Sequence, residues 1–233
     1  MTLWTTTTEG LLASMQQAGI FRAALVWDPE RQQLEVSHPM FREIRDAVAA
    51  DQRDFDQHEA CFFEVGSESS HLMAAVLHRT VRGQGAGGVR FWTYDDVESF
   101  VRDGLRLSRG MGQKSALAGL WWGGGKGLIA RRPDVDHRDP QLRAAIYRDY
   151  GRFMSGLRGC YVTAEDVGTT PPDMARIHTT TRYTTCIPES MGGSGNPSGL
   201  TAHGVVRAME AALHDLDRGS LEGKTIAMQG LGN

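Results

Sequence analysis

The 233 residues predict an α/β fold, and three observations carry that expectation. Short apolar runs of strand type alternate with stretches of helical periodicity, the pattern of a sheet covered by helices. One helix start is unambiguous. Asp139-Pro140 sets Asp at the cap and Pro in the first turn, ahead of a stripe of Leu142, Ile146, Tyr150, Phe153 and Leu157. The composition is that of an ordinary globular chain, with 40% hydrophobic residues, 23% charged residues and a net charge of −3.

The elements follow in order. Leu11, Leu12 and Met15 share a helical face, Ala23 to Trp27 reads as a strand, and DPERQQ is a turn before Leu34-Glu35-Val36. Phe41, Ile44 and Val48 mark another helix, and the polar residues 51–57 read as a linker. Ala60 to Val65 and Leu72 to Leu77, joined by GSESS, predict a hairpin whose edge could pair with a second copy. Asp95 with Glu98 suggests a capping box for a helix over Val97, Phe100, Val101 and Leu105, and a second helix is expected from near Gly112. Leu128 to Ala130 and Tyr161 to Ala164 read as short strands, Pro171 to His178 and Thr201 to Leu213 as helices, and Lys224 to Gln229 as a strand entering Gly230-Leu231-Gly232.

Several function classes are disfavoured. No run approaches the ~20 apolar residues of a membrane helix, and the first twenty residues lack the basic and apolar regions of a secretory signal. The charge balance, without a basic stripe, argues against a nucleic-acid partner. Cys61, Cys160 and Cys186 lack metal-ligand spacing and read as reduced thiols of a cytoplasmic protein, with no metal expected.

Glycine is the unusual count, at 28 residues. Seventeen fall in three windows, 83–88, 104–127 and 192–204, interleaved with Trp, Leu, Met and Lys rather than with linker residues. That mixture points to a site built from closely approaching backbone, with tight turns as the plainer alternative. Lys126 lies in WWGGGKGLI. A phosphate-binding P-loop would need Gly at Leu120 and Ser/Thr at Gly127, so that motif fails. A desolvated lysine there would have a lowered pKa and could act as a general base. Lys114 stands twelve residues earlier, where a second cation could bracket the same anionic group. Asp166, at the end of an apolar strand, is a candidate carboxylate for a ligand crevice or, equally, a turn residue. KTIAMQGLG is an apolar strand entering G-x-G, the opening of a dinucleotide-binding fingerprint.

Five segments in register, GGVRFWTYDD (87–96), RGMGQKSALAGLWWGGGKGLI (109–129), YVTAEDVGTT (161–170), GGSGNPSGLTAHGV (192–205) and LEGKTIAMQGLGN (221–233), closely resemble the glutamate/leucine/phenylalanine/valine dehydrogenases, nearest the leucine and phenylalanine branch. The resemblance covers residues 56–233. It implies a three-layer catalytic and oligomerisation domain with a mixed sheet over 56–200, the first helix and strand of an NAD-binding Rossmann domain over 201–233, and an N-terminal extension of unknown role over 1–55. It implies reversible oxidative deamination of an amino acid to its 2-oxo acid and ammonia, by a homo-oligomer. Lys126 would be the general base and Asp166 its partner in proton transfer. Lys114 would bind the substrate carboxylate, and Ala86, Gly87, Gly88, Met111 and Ala164 would line the substrate pocket. Arg90, Asp166, Thr201, Gly230 and Gly232 would approach the cofactor. Glutamate-specific members carry Lys where this chain has Ala86, so a leucine-, valine- or phenylalanine-like substrate is expected. Only two glycines of the cofactor turn are present, so the 233-residue chain alone is expected not to turn over. The alternatives are a non-catalytic oligomerisation or amino-acid-binding module, or one half of a split dehydrogenase.

Overall fold

A computed structural model describes residues 2–230. Seven strands form one mixed sheet: β1 (Arg22–Asp28), β2 (Gln33–Val36), β3 (Ala60–Val65), β4 (Leu72–Leu77), β5 (Gly85–Trp92), β6 (Gly123–Ala130) and β7 (Tyr161–Glu165). Their order across the sheet is β2-β1-β3-β4-β6-β5-β7. The strands from β2 to β6 pair antiparallel, whereas β6, β5 and β7 are parallel. Among the described residues six α-helices complete the fold: α1 (Thr8–Gln17), α2 (Arg42–Ala50), α3 (Val97–Leu117), α4 (Pro140–Gly156), α5 (Pro171–His178) and α6 (Ser198–Asp215).

The connections explain the three layers. From β5 the chain crosses to β6 on one side through α3, then passes back over β5 to β7 through α4. Right-handed crossovers in opposite directions place their helices on opposite faces of the sheet. Accordingly, one core gathers Leu11, Met15, Ile44, Val48, Phe100 and Leu105 from α1, α2 and α3, and a second gathers Tyr147, Tyr150, Phe153, Met174 and Ile177 from α4 and α5. Residues 8–50 therefore share the sheet and the first core with the rest: β1 pairs with β3, and Ala23 and Leu25 are buried among the α1–α3 residues.

Several local expectations change. The 60–77 hairpin exists, but β3 lies between β1 and β4, and β4 between β3 and β6, so it offers no free edge. Residues 51–57 are a turn rather than a linker: the buried Asp51 carboxylate accepts the Arg53 and Asp54 amides. The cap of α3 is Asp96, whose side chain accepts the Ser99 amide, one residue later than the local pattern suggests. α3 also runs unbroken through Gly104 and Gly112. These glycines admit the sheet rather than stop the helix; a Cβ on Gly104 would lie 2.7 Å from Val76 Cγ2. β6 starts five residues earlier than its apolar part. Two of its glycines lie under aromatic rings, and a Cβ on Gly125 would sit 2.5 Å from Tyr161 Cδ2; the other two lie against backbone, Gly124 against α3.

α6 is present, and none of its residues is buried. Lys224–Gln229 forms no strand, correcting the expected Rossmann strand. A strand needs a neighbour to take its amides and carbonyls, and Ile226 and Met228 lie 55% and 77% exposed with none beside them. Among the described residues no helix is long and apolar enough to cross a membrane.

Candidate active site

In parallel α/β sheets, ligands meet the carboxyl ends of strands where the winding reverses. β5 is that point here, and Arg90 lies near its end while Asp166 directly follows β7. Strand alternation orients Lys126. Its neighbours at two-residue spacing, Leu128 and Ala130, are buried among the α3 residues, and a Cβ on Gly124 would be 3.0 Å from the Gly112 amide of α3. Lys126 therefore projects on the α3 side of the sheet.

The Lys126 side chain is 5% exposed, and its Nζ donates to Asp166 Oδ2 at 2.5 Å. Arg90 Nε donates to the same oxygen at 3.2 Å. The Asp166 turn is fixed locally: its amide donates to Thr169 Oγ1, and that hydroxyl donates back to the Asp166 carbonyl. Burial lowers the Lys126 pKa; Asp166 opposes that shift and Arg90 reinforces it. Burial works to raise the Asp166 pKa, but the Lys126 and Arg90 charges and the hydrogen bonds outweigh it and leave the carboxyl below its usual range. The pair is an ammonium–carboxylate contact with the lysine buried and the carboxylate partly exposed.

The surrounding strands are held close by small residues. Ala86 pairs in register with Gly124 of β6 and Val162 of β7, and Gly88 with Ala164. A Cβ on Gly88 would be 2.6 Å from Asp166 Cβ, and one on Gly87 would be 3.1 Å from Met111 Cγ besides striking the Gly125 carbonyl. Gly87, Gly88, Met111 and Ala164 thus lie around the strands that carry Lys126 and Asp166. Lys114 is joined to the Lys126–Asp166 couple by no recorded contact. It is exposed one turn beyond Met111 on α3 and joins no ion pair among the described residues. Thr201 lies on exposed α6, its hydroxyl donating to the Pro197 carbonyl, and is not brought to the couple by any recorded contact. Gly230 is exposed with φ +86°, and Gly232 lies outside the described residues.

Sequence reasoning missed Asp103. Its Oδ2 accepts from Arg90 Nη1 at 2.8 Å and from Tyr94 at 3.1 Å, and its Oδ1 from Arg106 at 2.7 Å. Only the i,i+3 spacing to Arg106 was visible in the sequence, and that reads as a solvated helix pair. Among the described residues no group of three or more His, Cys, Asp or Glu is placed to hold a metal.

Comparison with known proteins adds a second line. A family model described as Glu/Leu/Phe/Val dehydrogenase, dimerisation domain, matches residues 67–183. The chain is 49% identical over 168 residues to leucine dehydrogenase of Bacillus subtilis, covering 71% of this chain and 45% of that protein. It is 41% identical over 165 residues to phenylalanine dehydrogenase of Lysinibacillus sphaericus, covering 70% and 42%. The crystal structure of L-tryptophan dehydrogenase from Nostoc punctiforme superposes with a TM-score of 0.55 at 30% identity, over 70% of this chain and 44% of that one. The chain spans a little under half the length of the curated relatives it matches.

Proposed function

Because this chain belongs to the Glu/Leu/Phe/Val dehydrogenase family, we propose that it supplies the catalytic half of an NAD-dependent dehydrogenase that deaminates an apolar L-amino acid, leucine-, valine- or phenylalanine-like, to its 2-oxo acid and ammonia. The observation that carries this reading is the buried Lys126 ammonium 2.5 Å from Asp166 Oδ2. Leucine and phenylalanine dehydrogenases among the relatives, and Ala86 in place of a cation, support an apolar side chain in the substrate. An unpaired carboxylate there would cost roughly 2–7 kcal/mol to desolvate.

Gly230 takes a left-handed conformation that favours glycine, and in a complete cofactor domain the resemblance would put it at the opening of the phosphate-binding turn. When bound, NAD accepts the hydride from the substrate α-carbon. The chain's own residues do the rest. Lys114, on its flexible stem beyond Met111, receives the α-carboxylate. Lys126, once neutral, takes a proton from the water that attacks the imine carbon. Its burial favours the neutral form that this step needs. Asp166 moves the proton at the amino group, and Arg90 keeps it ionised between transfers. The family model's description as a dimerisation domain supports self-association, and three free cysteines support a reducing compartment such as the cytoplasm.

The test is NAD reduction at alkaline pH across a panel of amino acids, with the chain alone and with a Rossmann half added as a second polypeptide. No turnover by the chain alone, and turnover with leucine-like substrates on addition, is expected. A preference for glutamate, or no turnover in either arm, would overturn the reading.

A further inference from the structure

We propose that Asp103 is a positioning residue of this site, holding the Arg90 guanidinium so that it meets Asp166 through one nitrogen and leaves the carboxylate oxygen shared with Lys126. The proposal rests on reading Lys126 and Asp166 as the reacting couple. An arginine beside a carboxylate favours the two-pronged fork, with two parallel N–H···O bonds. Arg90 does not form it. Its Nε donates to Asp166 Oδ2 at 3.2 Å while its Nη1 donates to Asp103 Oδ2 at 2.8 Å. The stronger, shorter contact is thus the one away from the reacting carboxylate.

Asp103 is itself immobilised. Tyr94, from the loop after β5, donates to one of its oxygens, and Arg106, one turn on in α3, donates to the other. The Asp103 side chain is only 11% exposed. The Arg90 guanidinium is therefore clamped between α3 and the turn after β7. Released from Asp103, it is free to take both Asp166 oxygens and draw the carboxylate from Lys126. The charged groups acting on Lys126 are Asp166 after β7, Arg90 on β5 and Asp103 on α3, with the buried phenols of Tyr150 and Tyr161 on the opposite face of β6.

The two charges of the clamp act on Lys126 with opposite sign, and this makes the idea testable without turnover. The chain contains three lysines, Lys114, Lys126 and Lys224, so ¹³C-lysine labelling yields three signals whose titration is followed by NMR on the full chain. Asp103→Asn keeps the shape and removes the charge, and the Lys126 titration should move to lower pH. Arg90→Met should move it to higher pH, and the double variant should depart from the sum of the two shifts, as coupled neighbours do. Asp103→Glu, which keeps the charge, should restore most of the shift. An unmoved Lys126 titration in Asp103→Asn, or movement in the same direction in both single variants, would overturn the proposal. A second measurement needs no variant: the Arg90 Nε–H should exchange slowly with solvent, and exchange as fast as in exposed arginines would equally overturn it. Because these readouts are titrations and exchange rates, they stand or fall separately from the NAD assay.

Discussion

Replacing Gly125 by Ala tests whether the glycine run of β6 exists to admit aromatic rings. The new methyl would lie 2.5 Å from Tyr161 Cδ2 and 2.7 Å from Cε2. Carbon atoms pack at about 3.5–4.0 Å, so the ring must retreat by roughly 1 Å. It has nowhere to go. Tyr161 is fully buried in the α4–α5 core, and its hydroxyl donates to the Gly87 carbonyl at 2.6 Å. Overpacking of this kind costs about 1–3 kcal/mol, and the strained hydrogen bond argues for the upper half of that range. In a chain of this length, roughly 2–3 kcal/mol lowers the thermal midpoint by about 5–10 °C. Gly110→Ala is the control. That position is exposed in mid-helix with nothing within 4 Å of the added carbon, so alanine should stabilise by about 0.5–1 kcal/mol. The assay is a pair of urea and thermal unfolding curves for each variant. If Gly125→Ala proves neutral, or if the two variants shift alike, β6 does not pack on Tyr161 as described.

In a form that turns over, Lys126→Ala should lower kcat by ~10²–10⁴-fold with KM little changed, whereas Lys114→Ala should mainly raise KM; steady-state kinetics on both separates base from anchor, and a surviving kcat in Lys126→Ala refutes the assignment. His58 should make stability fall in acid. Its Nε2 donates to the Leu105 carbonyl and its Nδ1 accepts the Asp56 amide, so the folded state holds it neutral, and burial lowers its pKa to about 4. The unfolded histidine titrates near 6.5, so its contribution is whole above that pH and is lost as pH falls from 6.5 towards 4, by up to roughly 3 kcal/mol. Urea midpoints between pH 7 and 4.5 should therefore drop, and His58→Gln should flatten that slope; an unchanged slope counts against it. The chain should also self-associate, and a monomeric mass by light scattering at micromolar concentration would contradict that.

The sequence alone determined the elements whose cause is local. Asp139-Pro140 starts α4 because the cap and the first turn need no tertiary partner, and the Leu142-to-Leu157 stripe names its buried face. The hairpin strands 60–65 and 72–77 were legible from short apolar runs around a turn. Lys126 and Asp166 could be singled out as chemistry-bearing side chains, since an isolated Lys among glycines and a strand-end carboxylate are unusual settings. That they would meet was an expectation of the family resemblance rather than of local pattern, because forty residues separate them and only the parallel pairing of β6, β5 and β7 brings them together. Tertiary packing also decided what the glycines meant. In isolation Gly112 reads as a helix boundary and the glycine windows as backbone built for close approach, without saying what approaches. Once Val76, Gly124, Tyr150 and Tyr161 occupy the space a side chain would need, the same residues are what lets α3 and the sheet approach. Asp103 was out of reach for a similar reason. Its spacing specifies an exposed helical pair with Arg106, and only the fold turns its other oxygen inward to Arg90. Sequence records what a residue can do, but the meaning of a glycine or a carboxylate depends on which atoms the fold brings within a few ångströms of it.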